Sequence, residues 1–461
     1  MPIRFPPDLM VSVSGFRGRV GRPLTPELVG ALAAGYGAFL QGEGSGNLVL
    51  VGRDSRTSGP MLSRAAIAGL VSVGARVVDL GVVPTPTLML AVEDAGAAGG
   101  IGITASHNPA EWNAMKFAAG EGVFLDGERM ARFQRFLQEE EPARAAWDAL
   151  APVVDDTGAA ERHLARILGL PLLDLDGLRA RRFRVALDCV RGAGATIMPQ
   201  LLRALGTSFE AIHLEPDGRF PRDPEPTAEH LAELGELVRR TGADVGLAVD
   251  PDVDRLSLVD ENGRPLGEDL TLALASAVVL RRDPGVVVTN LSTSQVLEDV
   301  VEAHGGRVVR APVGEINVAR RMQAEGAVVG GEGNGGVILP ALHLTRDAPV
   351  GAALILQHLL DEGMTLSEAA ARWPRYEIVK EKVDFPREAI GRAYEALEER
   401  FPGSEADHAD GLRLTWSRKR AWLHVRPSGT EPIVRLIAEA ADEKGARELV
   451  EQARAILEGV A

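Results

Sequence analysis

The chain has 461 residues, of which 65 are acidic and 50 are basic, so its formal net charge is −15. This length predicts about three domains, with four allowed, and a hydrophobic content of 45% excludes disorder of the chain as a whole. The acidic balance argues against binding to nucleic-acid backbones, which needs a basic excess. No apolar run reaches the ~18 residues that span a bilayer, and residues 1–10 lack the apolar core of a signal peptide.

The basic residues are almost all arginine. The chain has five lysines, which are Lys116, Lys380, Lys382, Lys419 and Lys444. The other 45 basic residues are arginine, and Lys116 is the only lysine among the first 379 residues. The single cysteine, Cys189, excludes an intrachain disulfide. It is typical of a reducing compartment, so we expect a cytoplasmic protein.

Short β-type runs alternate with helical patterns, which predicts α/β layers with largely parallel sheets. The first cycle has predicted strands at 48–52, 76–80 and 100–104, and predicted helices at 60–73 and 85–92. The second has strands at 184–189 and 244–249, a glycine-rich turn at 191–194 and a helix at 228–241. The third has helices at 268–280, 294–303 and 315–324, and strands at 286–289 and 307–310.

The last ninety residues follow a different pattern. Predicted strands at 378–383, 412–416, 422–426 and 434–439, with helices at 387–399 and 443–457, indicate a small α+β domain. Charge and proline accumulate at 139–156 and 361–374, which are the candidate linkers.

The first candidate site is Thr-Ala-Ser-His-Asn-Pro at 104–109. Ser106 lies at the carboxyl end of a predicted strand, where open α/β sheets bind ligands. Small residues before it should leave its hydroxyl accessible, and Pro109 restricts the chain after it. A helix N-cap at Ser106 or Asn108 explains the same residues. The Gly-x-Ser-x-Gly elbow of esterases is absent.

The second candidate site is Asp-Pro-Asp-Val-Asp-Arg at 250–255, after an apolar run. Asp250, Asp252 and Asp254 place three carboxylates on one loop, and a bound cation neutralises such a concentration of like charge. Oxygen-only ligands favour a hard ion, Mg²⁺ first. A solvated acidic turn is the alternative. A calcium EF-hand is excluded, because Arg255 stands where glycine is needed and 256–259 predicts a strand.

Two glycine-containing loops are further candidates. In Gly-Gly-Glu-Gly-Asn-Gly-Gly at 330–336, backbone can approach a ligand closely while Glu332 and Asn334 bind hydroxyl groups. A tight hairpin turn is the alternative. Arg-Pro-Ser-Gly-Thr-Glu-Pro at 426–432, with Arg435 after it, offers hydroxyls, amides and guanidinium groups suited to a phosphate. An ordinary Pro/Gly turn is the alternative there.

Two arginine-containing segments near the start, 14–18 and 52–56, are predicted to be loops. Either can be purely structural. Arg53, Asp54 and Arg56 are more typical of an internal ion-pair network than of a ligand site.

Taken together, these motifs resemble those of the α-D-phosphohexomutases, and the resemblance covers essentially the whole chain. TASHNPAEWNAMKF, DPDVDR, GEGNGG and RPSGTEP occur in that family's order, with SGFRG, GRDSRTSG, LGVVPTPTL and LDCVRGAGA in support. The resemblance implies three α/β domains with mixed sheets and a C-terminal α+β domain around a central cleft. The domains are expected at 1–150, 151–254, 255–370 and 371–461. GEGNGG is most similar to archaeal-type phosphoglucosamine mutases, with phosphomannomutase/phosphoglucomutase as the close rival.

The resemblance also implies roles for single residues. Ser106 would carry a phosphoryl group and, with Asp250, Asp252 and Asp254, would hold one Mg²⁺. Lys116, Arg17 and His107 would surround the reacting oxygen. The residues implied in substrate binding are Glu332, Asn334, Arg255, Arg426, Ser428, Gly429, Thr430 and Arg435. Many relatives have serine where this chain has Asn334, and both side chains can bind a hydroxyl.

The activity implied is interconversion of hexose 6-phosphate and hexose 1-phosphate through a phosphoserine and a 1,6-bisphosphate, which also acts as activator. Glucosamine phosphate is the expected substrate. The expected partners are small hexose phosphates, without nucleic acid or membrane, for a monomer or homodimer. A sugar-phosphate phosphatase needs no clamp for a second phosphate, and a non-catalytic sugar-phosphate-binding protein can lose Ser106 or an aspartate. This chain has the clamp motif and keeps Ser106 and all three aspartates, so both classes are more remote alternatives.

Overall fold

The computed structural model describes residues 2–428 and 433–460. Within that part of the chain four sheets follow one another in sequence, three mixed and one antiparallel. This confirms the predicted class of three α/β domains followed by an α+β domain. No helix among these residues combines the length and apolarity needed to cross a bilayer.

The first domain contains a seven-stranded sheet. Its strands are β1 (Met10–Ser12), β2 (Gly15–Arg19), β3 (Leu48–Arg53), β4 (Arg76–Val82), β5 (Gly99–Ile103), β6 (Trp112–Ala119) and β7 (Val154–Asp155). Its helices are α1 (Pro26–Gly42), α2 (Gly59–Val71), α3 (Thr85–Asp94) and α4 (Gly127–Glu139). The spatial order is β1-β2-β6-β5-β3-β4-β7. β3 pairs in parallel with β4 and β5, whereas β6 is antiparallel to β5 and β2, so this sheet is mixed rather than largely parallel.

Four strands of this sheet were not predicted, namely β1, β2, β6 and β7. Segment 14–18 forms β2 instead of a loop, and the unpredicted β6 lies between β2 and β5. Both segments are rich in Gly or Ala, which have low intrinsic strand propensity, so long-range pairing decides their conformation. Lys116 lies on β6 directly opposite Gly102 of β5, which places it beside the loop that contains Ser106.

The second domain has a four-stranded sheet in the order β11-β10-β8-β9. Its strands are β8 (Arg184–Asp188), β9 (Ser208–Ile212), β10 (Val245–Val249) and β11 (Leu256–Val259). Its helices are α5 (Ala159–Leu168), α6 (Leu175–Arg181), α7 (Met198–Ala204) and α8 (Ala232–Thr241). β10 and β11 pair antiparallel, so the 250–255 loop is held at both ends by paired strands. The boundaries expected after residues 150 and 254 both fall inside a sheet, because β7 pairs with β4 and β11 with β10.

The third domain has the sheet order β13-β12-β14-β15. Its strands are β12 (Val286–Asn290), β13 (Arg307–Ala311), β14 (Val329–Glu332) and β15 (Gly336–Ile338). Its helices are α9 (Asp269–Arg282), α10 (Val296–Ala303), α11 (Glu315–Glu325), α12 (Ala348–Glu362) and α13 (Leu366–Ala371). The predicted linker 361–374 therefore contains a helix.

The fourth domain has a fully antiparallel sheet in the order β16-β20-β19-β18-β17. Its strands are β16 (Glu377–Asp384), β17 (Glu405–Asp407), β18 (Leu412–Trp416), β19 (Ala421–Pro427) and β20 (Ile433–Ala440), and its helices are α14 (Ile390–Arg400) and α15 (Glu443–Val460). The small α+β domain predicted for the last ninety residues is confirmed.

The second and third domains share one hydrophobic core, to which α12 contributes most of its length. Burial of each Leu or Val in such a core stabilises the fold by roughly 1.5–3 kcal/mol. Asp347 begins α12 by accepting a hydrogen bond from Val350 N at 3.0 Å, and Ala348 N donates to Val253 O at 3.1 Å. The start of α12 is thereby fixed against the 250–255 loop.

Candidate active site

Ser106 lies in a turn between β5 and β6. Its backbone φ is +48°, in the left-handed region that non-glycine residues seldom adopt, and its N–H donates to Thr104 Oγ1 at 2.9 Å. The chain continues into a strand, so the helix N-cap interpretation of Ser106 and Asn108 is wrong. Only 4% of the Ser106 surface is exposed. Its hydroxyl is therefore less accessible than we predicted from the small residues that precede it. Such strained backbone is typical of functional sites.

Arg56 braces this turn from inside the protein. Its fully buried guanidinium donates to the carbonyl oxygens of Ser106 at 2.6 Å, Asn108 at 2.7 Å and Pro109 at 2.7 Å. Its Nε donates to Asp54 Oδ2 at 3.0 Å, and Asp54 also accepts from Thr104 Oγ1. The predicted internal ion-pair network is confirmed for Asp54 and Arg56, whose function is to fix the serine turn.

Asp250, Asp252 and Asp254 form a buried carboxylate triad whose oxygens lie within 4.8 Å of one another. Burial and then the charges of Asp254 and Asp252 raise the pKa of Asp250 well above its usual range. Among the described residues, Oδ1 of Asp252 and Oδ1 of Asp254 have no hydrogen-bond partner. Buried carboxylates without partners are costly, and a set of hard oxygens fits a divalent cation. A solvated acidic turn is excluded because the triad is buried.

The serine and the triad are in direct contact. Ser106 Oγ donates to Asp250 Oδ2 at 2.9 Å, and Lys116 Nζ donates to Asp252 Oδ2 at 2.8 Å. Burial alone would raise the pKa of Asp252, but the Lys116 ammonium and hydrogen bonds hold it well below its usual range. A serine hydroxyl, an ammonium group and a carboxylate triad that could hold a cation therefore meet at one point.

Three further predicted residues surround this point. Arg17 Nη1 donates to Asn108 Oδ1 at 2.6 Å, and Arg255 Nη1 donates to Glu225 Oε1 at 2.8 Å. His107 Nδ1 lies 3.4 Å from Ser106 Oγ. Burial, together with the positive charges of Arg255 and Arg17, lowers the pKa of His107 far below its usual value, so this imidazole is neutral at pH 7.

The glycine-rich segment 330–336 forms the hairpin turn between β14 and β15, as the alternative interpretation predicted. Gly331 has φ +151°, and a Cβ there would lie 2.0 Å from Gly336 O, so only glycine fits. Glu332 accepts hydrogen bonds from Asn290 Nδ2 at 2.8 Å and from Gly314 N at 2.9 Å. Asn334 Oδ1 accepts from Gly336 N at 3.3 Å. A hairpin turn does not exclude ligand binding by these two side chains.

Arg346 is a site residue that the sequence analysis missed. Its guanidinium binds Asp254 Oδ2, Glu332 Oε2 at 2.8 Å and Glu315 Oε2 at 3.2 Å, so it joins the triad to the glycine-rich hairpin. Burial and Asp254 raise the pKa of Glu315 to about 7, against the effect of Arg346. The feature of the sequence that could have revealed Arg346 is the charged pair Arg346-Asp347 between two apolar segments, because charged residues in such a position are usually buried and paired.

In the fourth domain, Arg426 Nε lies 2.6 Å from Asp410 Oδ2, an ion pair without hydrogen-bond geometry. Asp410 Oδ2 also accepts from Val313 N at 3.0 Å, next to Gly314. Ser428 N donates to Ile433 O at 2.8 Å, and Ser428 O accepts from Arg387 Nη2 at 2.7 Å. The predicted binding residues Gly429 and Thr430 lie outside the described residues.

Family models match each part of the chain in order. The phosphoglucomutase/phosphomannomutase α/β/α domain I model matches residues 9–144, domain II matches 161–263, domain III matches 267–376 and the C-terminal domain matches 381–456. A Methanopyrus kandleri protein described as "Probable phosphoglucosamine mutase" is 40% identical over 440 residues, 95% of either chain. The chain belongs to the phosphoglucomutase/phosphomannomutase family and is a phosphohexomutase.

Two other comparisons agree with this family. The phosphoglucomutase/phosphomannomutase of Thermococcus kodakarensis is 38% identical over 449 residues, 96% of this phosphohexomutase and 97% of the relative. The crystal structure of a phosphoglucomutase/phosphomannomutase family protein from Burkholderia thailandensis superimposes with a TM-score of 0.82 at 25% identity, covering 98% of both chains.

Proposed function

We propose that this phosphohexomutase interconverts glucosamine 6-phosphate and glucosamine 1-phosphate through a phosphorylated Ser106. The contact between Ser106 Oγ and Asp250 Oδ2 carries the proposal, because it places a hydroxyl against a triad suited to a divalent cation. The glucosamine assignment is supported by the name of the Methanopyrus kandleri relative. Phosphoryl transfer needs mainly positioning and charge stabilisation, which these groups supply.

Ser106, Asp250, Asp252 and Asp254 would hold the Mg²⁺ ion. When bound, the ion supplies charge withdrawal from the phosphoryl oxygens. Asp252 holds the ammonium of Lys116 beside the serine, and Lys116 would move a proton at the reacting oxygen. Arg17 would neutralise phosphoryl charge, and the neutral His107 can accept a hydrogen bond from a hydroxyl.

The chemistry consists of two transfers in opposite directions. In the first, the bond between phosphorus and Ser106 Oγ breaks and a bond between phosphorus and a sugar hydroxyl oxygen forms. A base takes the proton of that sugar hydroxyl, and Ser106 Oγ gains a proton, so the serine hydroxyl is restored. The resulting 1,6-bisphosphate turns round in the cleft. In the second transfer Ser106 takes the other phosphate, which leaves a monophosphate of the isomeric sugar.

The sugar and the phosphate that is not reacting need their own contacts. Glu332 and Asn334 would accept hydrogen bonds from sugar hydroxyls, and Arg255 would face the substrate between them and Ser106. The phosphate clamp would consist of residues from the fourth domain, namely Arg426, Ser428, Gly429, Thr430 and Arg435. Closure of this domain over the cleft would keep water from the phosphoserine.

Phosphomannomutase/phosphoglucomutase is the second candidate, because the Thermococcus kodakarensis relative has that name at 38% identity. The test compares kcat/KM for the 6-phosphates of glucosamine, glucose and mannose, with a trace of the matching 1,6-bisphosphate. We expect isomerisation without phosphate release and the highest kcat/KM for glucosamine 6-phosphate. A higher value for either other sugar would reassign the substrate, and release of phosphate in place of isomerisation would indicate a phosphatase.

A further inference from the structure

Three cations lie side by side on the fourth domain. In the pairing of β16, β20 and β19, Lys382 is directly opposite Arg435, and Arg435 is directly opposite Arg426. Directly opposed residues of neighbouring strands point to the same face of a sheet. Adjacent strands are ~4.8 Å apart, so the row extends roughly 10 Å from Arg426 to Lys382.

The face that carries this cationic row is directed toward the third domain. His424, two residues before Arg426 on β19, has its Nδ1 2.9 Å from Ser292 Oγ of the third domain. Glu439, four residues after Arg435 on β20, accepts a hydrogen bond through Oε2 from Gln295 N at 3.0 Å. Side chains at i and i+2 share a face, so the row lies on the same face of the sheet as these contacts with the third domain. Lys382 and Arg435 are exposed there.

Ion pairs among residues 2–428 and 433–460 do not explain the row. Among the described residues only Arg426 has a carboxylate partner, Asp410, and none is found for Lys382 or Arg435. Like charges directly opposite one another destabilise a sheet. Lys382 is also one of only five lysines in a chain with 45 arginines. Such a row is stabilised when an anion lies across it.

We propose that Lys382 extends the phosphate clamp and retains the bisphosphate intermediate while it turns round. This inference rests on the proposed function and names one further binding residue for it. A phosphate that leaves Arg426 is still within reach of Arg435 and Lys382, so the intermediate stays attached at one end. A flexible ammonium makes contacts that are less directional than those of a guanidinium fork, which suits a phosphate that has to be released again.

Lys382→Gln tests the inference. The enzyme is loaded with labelled phosphate on Ser106 and mixed with glucosamine 6-phosphate and excess unlabelled bisphosphate as a trap. The measured quantity is labelled bisphosphate released to solution, divided by label that ends in the monophosphate product. Because one exposed charge contact is lost, we expect Lys382→Gln to raise this ratio about 3- to 10-fold at low salt. The increase should shrink in 1 M salt, where the Debye length falls to ~3 Å.

Two variants serve as controls. Lys382→Arg keeps the charge and should keep the wild-type ratio within about 2-fold. Lys444→Gln removes an equal charge from α15, where Lys444 pairs with Glu448, and should leave the ratio unchanged. An unchanged ratio in Lys382→Gln, with label still reaching the product, overturns the role of Lys382 alone. Failure of the wild type to transfer label to any hexose phosphate overturns the proposed function and this inference with it.

Discussion

Lys116 Nζ is 2.8 Å from Oδ2 of Asp252, with only 6% of the lysine exposed. The contact joins the first domain to the second and brings a compact ammonium to the carboxylate triad. Arginine is a larger group that stays protonated at any relevant pH. Lys116 is the only lysine among the first 379 residues, and its retention there indicates either limited space or a proton that is transferred.

Lys116→Arg should lose most of kcat although it keeps the positive charge. The general acid/base step that Lys116 would assist is typically worth about 10²–10⁴-fold. Steady-state kinetics of Lys116→Arg and Lys116→Met at several pH values provide the measurement. Near-wild-type kcat in Lys116→Arg, with a loss only in Lys116→Met, would show that the residue acts as a charge. Proton transfer would then fall to His107 or water, with Arg17 as a second fixed charge.

Ser106→Ala should abolish mutase turnover, because the group that carries the phosphate is removed. Intact-mass measurement should find phosphate on the wild type and none on the variant. Arg56 still fixes the turn through backbone carbonyls, so the thermal midpoint of the variant should stay close to that of the wild type. A phosphorylated and active Ser106→Ala variant would place the phosphoryl carrier elsewhere.

Asp250→Asn, Asp252→Asn and Asp254→Asn should each weaken Mg²⁺ binding and lower kcat strongly. Asp250→Asn should keep its fold, because it relieves like-charge repulsion in the metal-free triad. Asp252→Asn and Asp254→Asn should be less stable than Asp250→Asn, because they take a buried carboxylate partner from Lys116 and from Arg346. Isothermal titration with Mg²⁺ measures binding, and thermal unfolding in chelator measures stability. Wild-type activity of the triple asparagine variant in chelator would contradict the metal site.

Arg426→Ala should mainly raise KM for the monophosphate. A charge-assisted contact is worth about 1.5–3 kcal/mol, or roughly 10- to 100-fold in binding. Steady-state kinetics separate KM from kcat, and Arg418→Ala removes an exposed arginine of the same domain as a control. An unchanged KM with a lost kcat would place Arg426 in the chemical step.

His358 should make the protein sensitive to mild acid. This residue lies on α12 and is 4% exposed. Its pKa is lowered to about 4, and burial is the main cause. Between pH 6.5 and about 4 the unfolded chain binds a proton that the native state does not, so stability falls as the pH decreases. The loss at pH 5 is about 2 kcal/mol. His358→Gln should remove this loss of stability. Substitution of the exposed His408 by glutamine serves as the control and should not. The measurement is the urea unfolding midpoint of each protein at pH 7.5 and at pH 5.0.

The order of elements was predictable because hydrophobic periodicity reports local burial. β11 and four strands of the fourth domain, β16, β18, β19 and β20, agree with their predicted bounds to within a residue or two. Eight strands that are short or of low intrinsic strand propensity were missed, since pairing partners elsewhere in the chain determine them. They are β1, β2, β6, β7, β9, β14, β15 and β17. The triad was visible as three aspartates on one loop. The link through Arg346 was not, because it depends on how the third domain lies against the second.

The groups that meet in the cleft are made in a fixed order during synthesis. Domains fold as units, beginning at the N-terminus. Ser106 and the three aspartates therefore come together while Lys382, Arg426 and Arg435 are still absent. A chain interrupted before β16 has the serine, the carboxylate triad and the neighbouring Lys116, but it lacks the cationic row of the fourth domain. The last domain therefore adds its three cations to those already present beside Ser106, so the positive charge facing a phosphate would be complete only once that domain has been made.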